Sequence, residues 1–360
     1  MCARWGASRI VPWVTITAIT DKIHISDEEL SGLAGAFGIG TVHERRHLPD
    51  GLMNVNWRLD AEAGTFALKR VTDVPLERLR RNLGVLGFLG DHGLPVCAPI
   101  LASDGSAVVE TSGGGYCLFP WAAGEHIPGV SLTLGQAAAL GGHIARLHVT
   151  LSWAADGRTL PRTPESLAVD VTSVQRAVEK AERLSSAVAA QDSASTFDRE
   201  AAVALKARQA MIAAHADRLP ADEVPVGPYG WTHGDLQYRN LLWSGSELSA
   251  VLDWDRVAVR PYAEEVVRTA QVQFGGADGF DLERVAAFVG GYRSVVPLST
   301  AALEDAVHRL WWKRLTDFWQ LEFRYNKGDH SFDELFTQDE ALLHRWTDRL
   351  DEVEAAFTSA

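Results

Sequence analysis

Cysteine is scarce in this chain of 360 residues: Cys2, Cys97 and Cys117 are the whole supply, widely spaced and without a Cys-x-x-Cys pair. That spacing argues against both a zinc ribbon and a disulfide framework, and a reducing compartment, the cytoplasm, is expected. Long hydrophobic runs are missing as well. The nearest approach is Ile10 to Ile19, which follows Arg4 and Arg9 in the manner of a leader peptide. Pro12 and several threonines interrupt it, and it is too short to span a bilayer, so no membrane association is expected. Positive charge is the third shortage. Against 47 Asp and Glu stand 34 Lys and Arg, a formal net charge of -13, with no basic stripe to neutralise phosphates. Nucleic acid is therefore not an expected partner. An acidic surface is compatible with a cationic small molecule, although in most proteins it serves solubility. Apolar content of 46% is ample for a core, and the length suggests two lobes. Monomer and homodimer are both left open.

What the chain does have is concentrated in WTHGDLQYRNLLWSGSELSAVLDWD, Trp231 to Asp255. Asp235 and Asn240 stand five positions apart in a segment too polar and too Gly-marked for helix or core. A short strand, Leu241 to Trp243, a Ser-Gly-Ser turn and a second apolar strand follow, the last delivering Asp253 at its end. Phosphoryl transfer from ATP asks for such a set: a carboxylate to orient the acceptor hydroxyl, and oxygen ligands to hold Mg²⁺ against the phosphates. Mg²⁺ prefers hard oxygen donors and only one or two protein carboxylates, which one Asn and one Asp satisfy. In this reading Asp235 is the base, Asn240 and Asp253 are the metal ligands, and Arg239 adds charge near the transferred group. The bland alternative is an Asp-capped turn and an ordinary hairpin.

His233-Gly234-Asp235, Asn240 and Leu252-Asp253-Trp254-Asp255 resemble the motifs of the aminoglycoside phosphotransferase and choline kinase group, protein-kinase-like enzymes that phosphorylate small molecules. That family usually has Glu where Asp255 stands. The resemblance covers most of the chain from about residue 26, but only these two motifs are specific. It implies an α+β, two-lobed protein-kinase-like fold using ATP or GTP with Mg²⁺. Residues 1–25 are then an N-terminal extension, 26–119 a nucleotide-binding lobe built on a small antiparallel sheet, and 120–360 a larger, mainly helical lobe with the catalytic loop and acceptor site.

Along the chain, Ser26 to Phe37 reads as a capped helix stopped by Gly38 and Gly40. Thr41 to Val71 reads as strands, with turns at Pro49-Asp50-Gly51 and Ala63-Gly64. Lys69, closing the strand Phe66-Ala67-Leu68, is the candidate phosphate lysine, against the plainer reading of a solubilising edge lysine. Gly51 to Asn54 lies where a phosphate-covering loop would, without a Gly-x-Gly-x-x-Gly. Leucines at helical spacing predict one helix from Pro75 to Gly90. The glutamate by which the family's helix meets the lysine falls near Asn82, and the helix's sole glutamate, Glu77, either takes that place or serves the helix dipole. Tyr116 to Trp121 is expected to connect the lobes, with Phe119 and Trp121 placed to stack on a base or simply to pack.

From Leu132 onward helices dominate. Leu140, Ile144, Leu147 and His148 share one helical face, and His148 reads as a buried structural histidine. Trp153 to Pro164 reads as a loop, and Val169 to Val188 and Thr196 to Arg218 as two inserted helices. In related kinases such insertions help shape the acceptor pocket. Arg256 to Tyr262 reads as another loop. Glu265 falls where the resemblance implies an aspartate bonded to the catalytic-loop backbone, and would have to reach further. Helices are predicted over Leu282 to Tyr292, Thr300 to Phe323 and Glu340 to Phe357, with an aromatic face from His308 to Phe323. Most of that face is core, with one or two tryptophans available to line a pocket; the acidic loop Asp329 to Glu334 is a solvated turn or faces a cationic substrate.

The reading that follows is an ATP- and Mg²⁺-dependent O-phosphotransferase for a small hydroxyl compound. The tryptophan-rich lobe and acidic surface tilt the acceptor towards an antibiotic of aminoglycoside or related type, giving resistance. A metabolite kinase of homoserine, choline or sugar type is the alternative, and a degenerate kinase fold that binds without chemistry is the second. A protein kinase is disfavoured, because Trp-Asp follows Asp253 where Phe-Gly would be needed and no Ala-Pro-Glu follows.

Overall fold

The computed structural model describes residues 24–49, 54–220 and 223–359. The N-terminal extension, most of the Gly51 to Asn54 loop and its Pro49-Asp50-Gly51 turn lie largely or wholly outside these residues. The chain forms two compact units, one holding residues up to 84 together with 97–121, the other holding 85–96 and everything from 122 onward.

In the first unit, helix α1 (Asp27–Phe37) begins at Ser26, whose hydroxyl accepts from Glu29 N, and ends at Gly38 in the left-handed conformation. Strands β1 (Val42–Leu48), β2 (Val55–Ala61), β3 (Gly64–Val71), β4 (Val109–Thr111) and β5 (Gly114–Pro120) make an antiparallel sheet in the order β1-β2-β3-β5-β4. Alternation assigns its faces. Trp57, Leu59, Phe66, Leu68, Tyr116 and Leu118 pack with α1 in one buried cluster. The opposite face therefore carries Asn56, Lys69 and Cys117 side by side, with Phe119 two residues on.

Two expectations are corrected here. Tyr116 to Pro120 is strand rather than connection: its backbone is spent on β3, and Trp121 N donates to Thr65 O at 3.0 Å. A run of buried residues, Gly115 to Leu118, and a free edge on β3 outweigh the proline, which stands at the strand's end where a missing donor costs little. The single helix from Pro75 to Gly90 is broken at Val85 into α2 (Leu76–Gly84) and α3 (Leu86–Asp91), with Gly84 and Gly87 flanking the break; glycine weakens helix continuity.

The second unit is built on α4 (Leu134–Asp156), which opens with a Thr133/Gln136 capping box and buries Leu140, Ile144, Leu147 and His148. It runs four residues into the expected Trp153 to Pro164 loop. Its partner is α8 (Leu282–Arg293), approached so closely that a Cβ on Gly141 or Gly291 would collide with the facing backbone. Between them in sequence come α5 (Val174–Ala189), α6 (Thr196–Ala214), β6 (Tyr229–Thr232), the hairpin β7 (Leu241–Ser244) and β8 (Glu247–Val251), β9 (Ala258–Pro261) and α7 (Tyr262–Phe274). Strand β9 replaces most of the expected Arg256 to Tyr262 loop. It pairs antiparallel with β6, a long-range pairing that four residues of local pattern do not announce.

The remaining helices are α9 (Thr300–Thr316), α10 (Trp319–Lys327), α11 (Asp333–Asp348) and α12 (Leu350–Thr358). The continuous helix expected over Thr300 to Phe323 stops at Asp317, and that expected over Glu340 to Phe357 breaks at Arg349. Trp311 and Trp312 are core: their indole N–H groups donate to Thr347 Oγ1 and Thr172 O. Asp333 starts α11 and pairs with Arg324, so this part of the acidic loop is already committed. Among the described residues no helix is long and apolar enough to cross a membrane.

Candidate active site

The catalytic segment lies between β6 and β7, and α7 holds it from beneath. Glu265, in the first turn of α7, is 2% exposed. Its carboxylate accepts from His233 N at 3.1 Å, from Gly234 N, and from His148 Nε2 at 2.6 Å. His148 is fixed in turn by Tyr292 Oη on Nδ1 at 2.8 Å and by Tyr262 stacked on its ring. Burial alone would raise the Glu265 carboxyl. The His148 hydrogen bond and charge, the His233 ring and the Gly234 amide outweigh it and bring the group down to about 2. The longer glutamate arm does reach the catalytic-loop backbone, and His148 is buried as expected.

Gly234 sits at φ 87°, where a Cβ would also meet Arg260 and the Arg256 carbonyl. This tight turn throws Asp235 out of the buried segment. Asp235 Oδ1 accepts from Arg268 Nη2 at 3.0 Å, and Oδ2 lies 3.2 Å from Asn240 Nδ2 and 3.4 Å from Gln237 Nε2. Asn240 Nδ2 also donates to the Asp235 carbonyl at 2.8 Å, which leaves Oδ1 as the amide's remaining ligand atom.

Asp253 is brought beside this loop by two backbone ties through its neighbour. Leu252 N donates to Asn240 O at 2.8 Å, and His233 Nε2 donates to Leu252 O at 3.0 Å. His233 Nδ1 then accepts from Asp235 N at 3.2 Å, a pattern that requires the neutral ring, and burial keeps the imidazole below its ordinary value. Trp254, buried, packs edge-on against His233 with ring centroids 4.7 Å apart. Asp253 itself adopts φ 61°, a left-handed conformation that Asp tolerates better than most residues. The hairpin that delivers it is pinned on both sides: Val251 N donates to Pro95 O, and Glu125 and Trp243 exchange backbone bonds at 2.9 Å.

Asp235, Asn240 and Asp253 are thus gathered by one hydrogen-bonded unit. Arg239 is on the exposed turn after Gln237, its guanidinium 5.6 Å from the Tyr238 ring centroid and its Nε donating to Tyr238 Oη. The guanidinium on Asp235 comes from Arg268 of α7, which the sequence reading missed. Its signal was the three-residue spacing from Glu265, which puts both on one helical face. Gln273, on the same helix, donates to Leu236 O at 2.8 Å and was missed too.

In the first unit, Lys69 is 8% exposed on the sheet face opposite the core cluster. Asn54 is buried and its Oδ1 accepts from Thr72 N at 3.0 Å, tying the start of β2 to the end of β3. Glu77 is exposed in the first turn of α2, where it suits the helix dipole. Phe119 is half-buried, and Trp121, 41% exposed, carries the Arg58 guanidinium 5.1 Å from its ring centroid. No cluster of three or more His, Cys, Asp and Glu side chains suited to a metal occurs among the described residues. The donor set that does exist, an amide oxygen and one carboxylate, fits a cation that keeps water and phosphate oxygens as its other ligands.

A small antiparallel sheet, a largely helical second unit, and an Asp-Asn loop tied to an Asp-bearing hairpin define a small-molecule phosphotransferase of protein-kinase-like fold. The chain belongs to the APH phosphotransferase enzyme family, whose model matches residues 44–298. Among curated relatives, the homoserine kinase of Gluconacetobacter diazotrophicus is 26% identical over 289 residues, 77% of this chain and 80% of the relative. That of Nitrobacter hamburgensis is 26% identical over 306 residues, 82% and 85% of the two chains. Among solved structures, spectinomycin phosphotransferase APH(9)-Ia, in complex with ADP and spectinomycin, is similar at TM-score 0.59 and 16% identity over 88% of this chain and 99% of that one. Amicoumacin kinase hAmiN, in complex with AMP-PNP, Ca²⁺ and its ligand, is similar at TM-score 0.56 and 14% identity over 93% and 96%. At such identities these two speak for the fold alone.

Proposed function

We propose that this enzyme transfers the γ-phosphoryl group of ATP to the hydroxyl of a small hydroxy amino acid of homoserine type. The observation that carries the chemistry is the joint fixing of Asp235, Asn240 and Asp253 through Leu252 and His233. Asp235 orients the acceptor hydroxyl and takes its proton. The acceptor oxygen forms the new bond to phosphorus as the bond to the bridging oxygen breaks, and ADP leaves with that electron pair. Asn240 Oδ1 and the Asp253 carboxylate would hold Mg²⁺, which neutralises charge on the phosphates, and Lys69 would hold the phosphates from β3. Arg239 would add charge near the transferred group, and Phe119 and Trp121 remain the candidates for stacking on the base. The acceptor class rests on the homoserine kinases, which this chain matches over most of both lengths.

A second reading, a larger acceptor of antibiotic type, draws on the fold shared with spectinomycin phosphotransferase. A cavity of about 580 Å³ opens among α5, α9 and Glu264 of α7, with Arg183, Lys313 and Trp312 in its wall. That volume is of the order of a drug-sized ligand site and exceeds what an amino acid fills. Its wall includes none of Asp235, Asn240 and Asp253, so it does not decide the size of the acceptor. Nucleotide consumption with Mg²⁺ over homoserine, choline, sugars, aminoglycosides and other antibiotics decides between them, with Asp235→Ala as control. Turnover on homoserine alone supports the first reading, and turnover only on a large acceptor replaces it with the second.

A further inference from the structure

The Arg268 guanidinium is placed where an acceptor's own charge would matter. It lies one helical turn along α7 from the glutamate that clamps the loop backbone, and its Nη2 sits 3.0 Å from Asp235 Oδ1. Both side chains are partly open, 32% and 25% exposed. Nη2 carries two N–H groups and Asp235 Oδ1 takes one, so the partly open guanidinium keeps donor capacity beyond Asp235. A second guanidinium, Arg314, stands on α9 with its Nε on Gln271 Oε1 at 2.9 Å, and Asp317 and Asp339 lie near enough to offset its charge. Asp235 Oδ1 therefore faces the Arg268 guanidinium at the point where the acceptor hydroxyl must arrive.

An anionic group a few ångströms from the reacting hydroxyl finds a hydrogen-bonding guanidinium there, which a cationic acceptor cannot use. In a four-carbon hydroxy amino acid, four bonds separate the hydroxyl oxygen from the carboxylate carbon, a reach of roughly 5 Å when extended. A hydroxyl seated on the other oxygen of Asp235 leaves such a carboxylate within the fork of Arg268. We infer that Arg268 is the residue that selects acceptors carrying a carboxylate close to the hydroxyl, besides positioning Asp235. This rests on the phosphotransferase reading above and adds to it the residue that sets acceptor charge.

The test compares L-homoserine with its carboxamide and with 3-aminopropan-1-ol, which lacks the carboxyl carbon, in the wild-type enzyme, Arg268→Gln and Arg268→Lys. The wild type should prefer homoserine by about 10- to 100-fold in kcat/KM, the worth of one charge-assisted hydrogen-bonded contact. Arg268→Gln should erase that preference, mainly through KM for homoserine, and Arg268→Lys should restore part of it. An unchanged thermal shift with ATP and Mg²⁺ in each variant certifies the fold. Equal use of the three acceptors by the wild type overturns the inference, and so does an equal fall for all three in Arg268→Gln, which would leave Arg268 acting through Asp235 alone. Turnover of a neutral or cationic antibiotic with none of homoserine overturns it while the phosphotransferase reading stands. Absence of transfer to every acceptor overturns both.

Discussion

Replacing Glu265 by Gln removes one charge and changes almost no volume, so its effect isolates what the carboxylate does. In the native enzyme the two oxygens take hydrogen bonds from His233 N, Gly234 N and His148 Nε2. A glutamine must turn its NH₂ towards at least one of these donors, setting donor against donor in a site 2% exposed. Breaking a buried, hydrogen-bonded charge on one side costs about 3–5 kcal/mol. The lowered carboxyl gives a second route to the number. Held at about 2 against an ordinary 4.5, it corresponds to about 3 kcal/mol of folded-state stabilisation.

Glu265→Gln should therefore lose about 3 kcal/mol in urea unfolding at pH 7 and lower kcat at least tenfold as the catalytic loop relaxes. The pH dependence has a definite sign. A depressed carboxyl contributes its full stability above pH 4.5 and loses it as pH falls towards 2. The wild type should therefore lose its margin over Glu265→Gln in that window and nowhere above it. Full stability and full kcat in Glu265→Gln would refute the claim that this carboxylate holds the loop.

Asp253→Ala should abolish the Mg²⁺-dependent part of the thermal shift given by ATP, while the metal-free protein melts within a few degrees of wild type. Gly234→Ala forces a side chain into φ 87° against Arg260 and Arg256; it should cost about 1–2 kcal/mol from the backbone alone and lower kcat more than it raises KM for ATP, as steady-state kinetics will show. His233 is held neutral by burial, so the unfolded chain takes a proton that the folded one refuses. Stability should decline as pH drops below about 6.5, and His233→Gln should flatten that limb of a denaturation series. Gly141→Leu should destabilise the second unit, because no rotamer escapes the facing backbone of α8.

The parts of the site that chemistry restricts most were legible in the sequence. Asp235, Asn240 and Asp253 are separated by short spans, and an Asp-Asn loop running into an alternating hairpin leaves few other constructions. His148 showed itself by helical spacing among leucines. What stayed hidden depends on contacts far apart in the chain. Strand β9 is four residues long and exists because β6 is there to pair with it. Tyr116 to Pro120 reads as either strand or connector until the open edge of β3 is known. The breaks at Val85, Asp317 and Arg349 interrupt patterns whose hydrophobic period carries on across them, so periodicity alone joins what packing divides.

Glu265 and Arg268 show where local reading stops and what a helix adds. From sequence, Glu265 stood about where an aspartate was expected and would have to reach further, and Arg268 drew no remark. In the structure one carboxylate serves two backbone amides and His148 together. One turn later on the same face, Arg268 meets the side chain of Asp235. A single helix thus grips the catalytic loop twice, by its backbone with a buried anion and by its carboxylate with a partly open cation. The first grip is closed to solvent and answers to stability and acid pH, whereas the second is open and answers to the charge of the acceptor. Substitutions at positions three residues apart should for that reason fail in different assays, Glu265 in denaturation and kcat, Arg268 in the choice among acceptors.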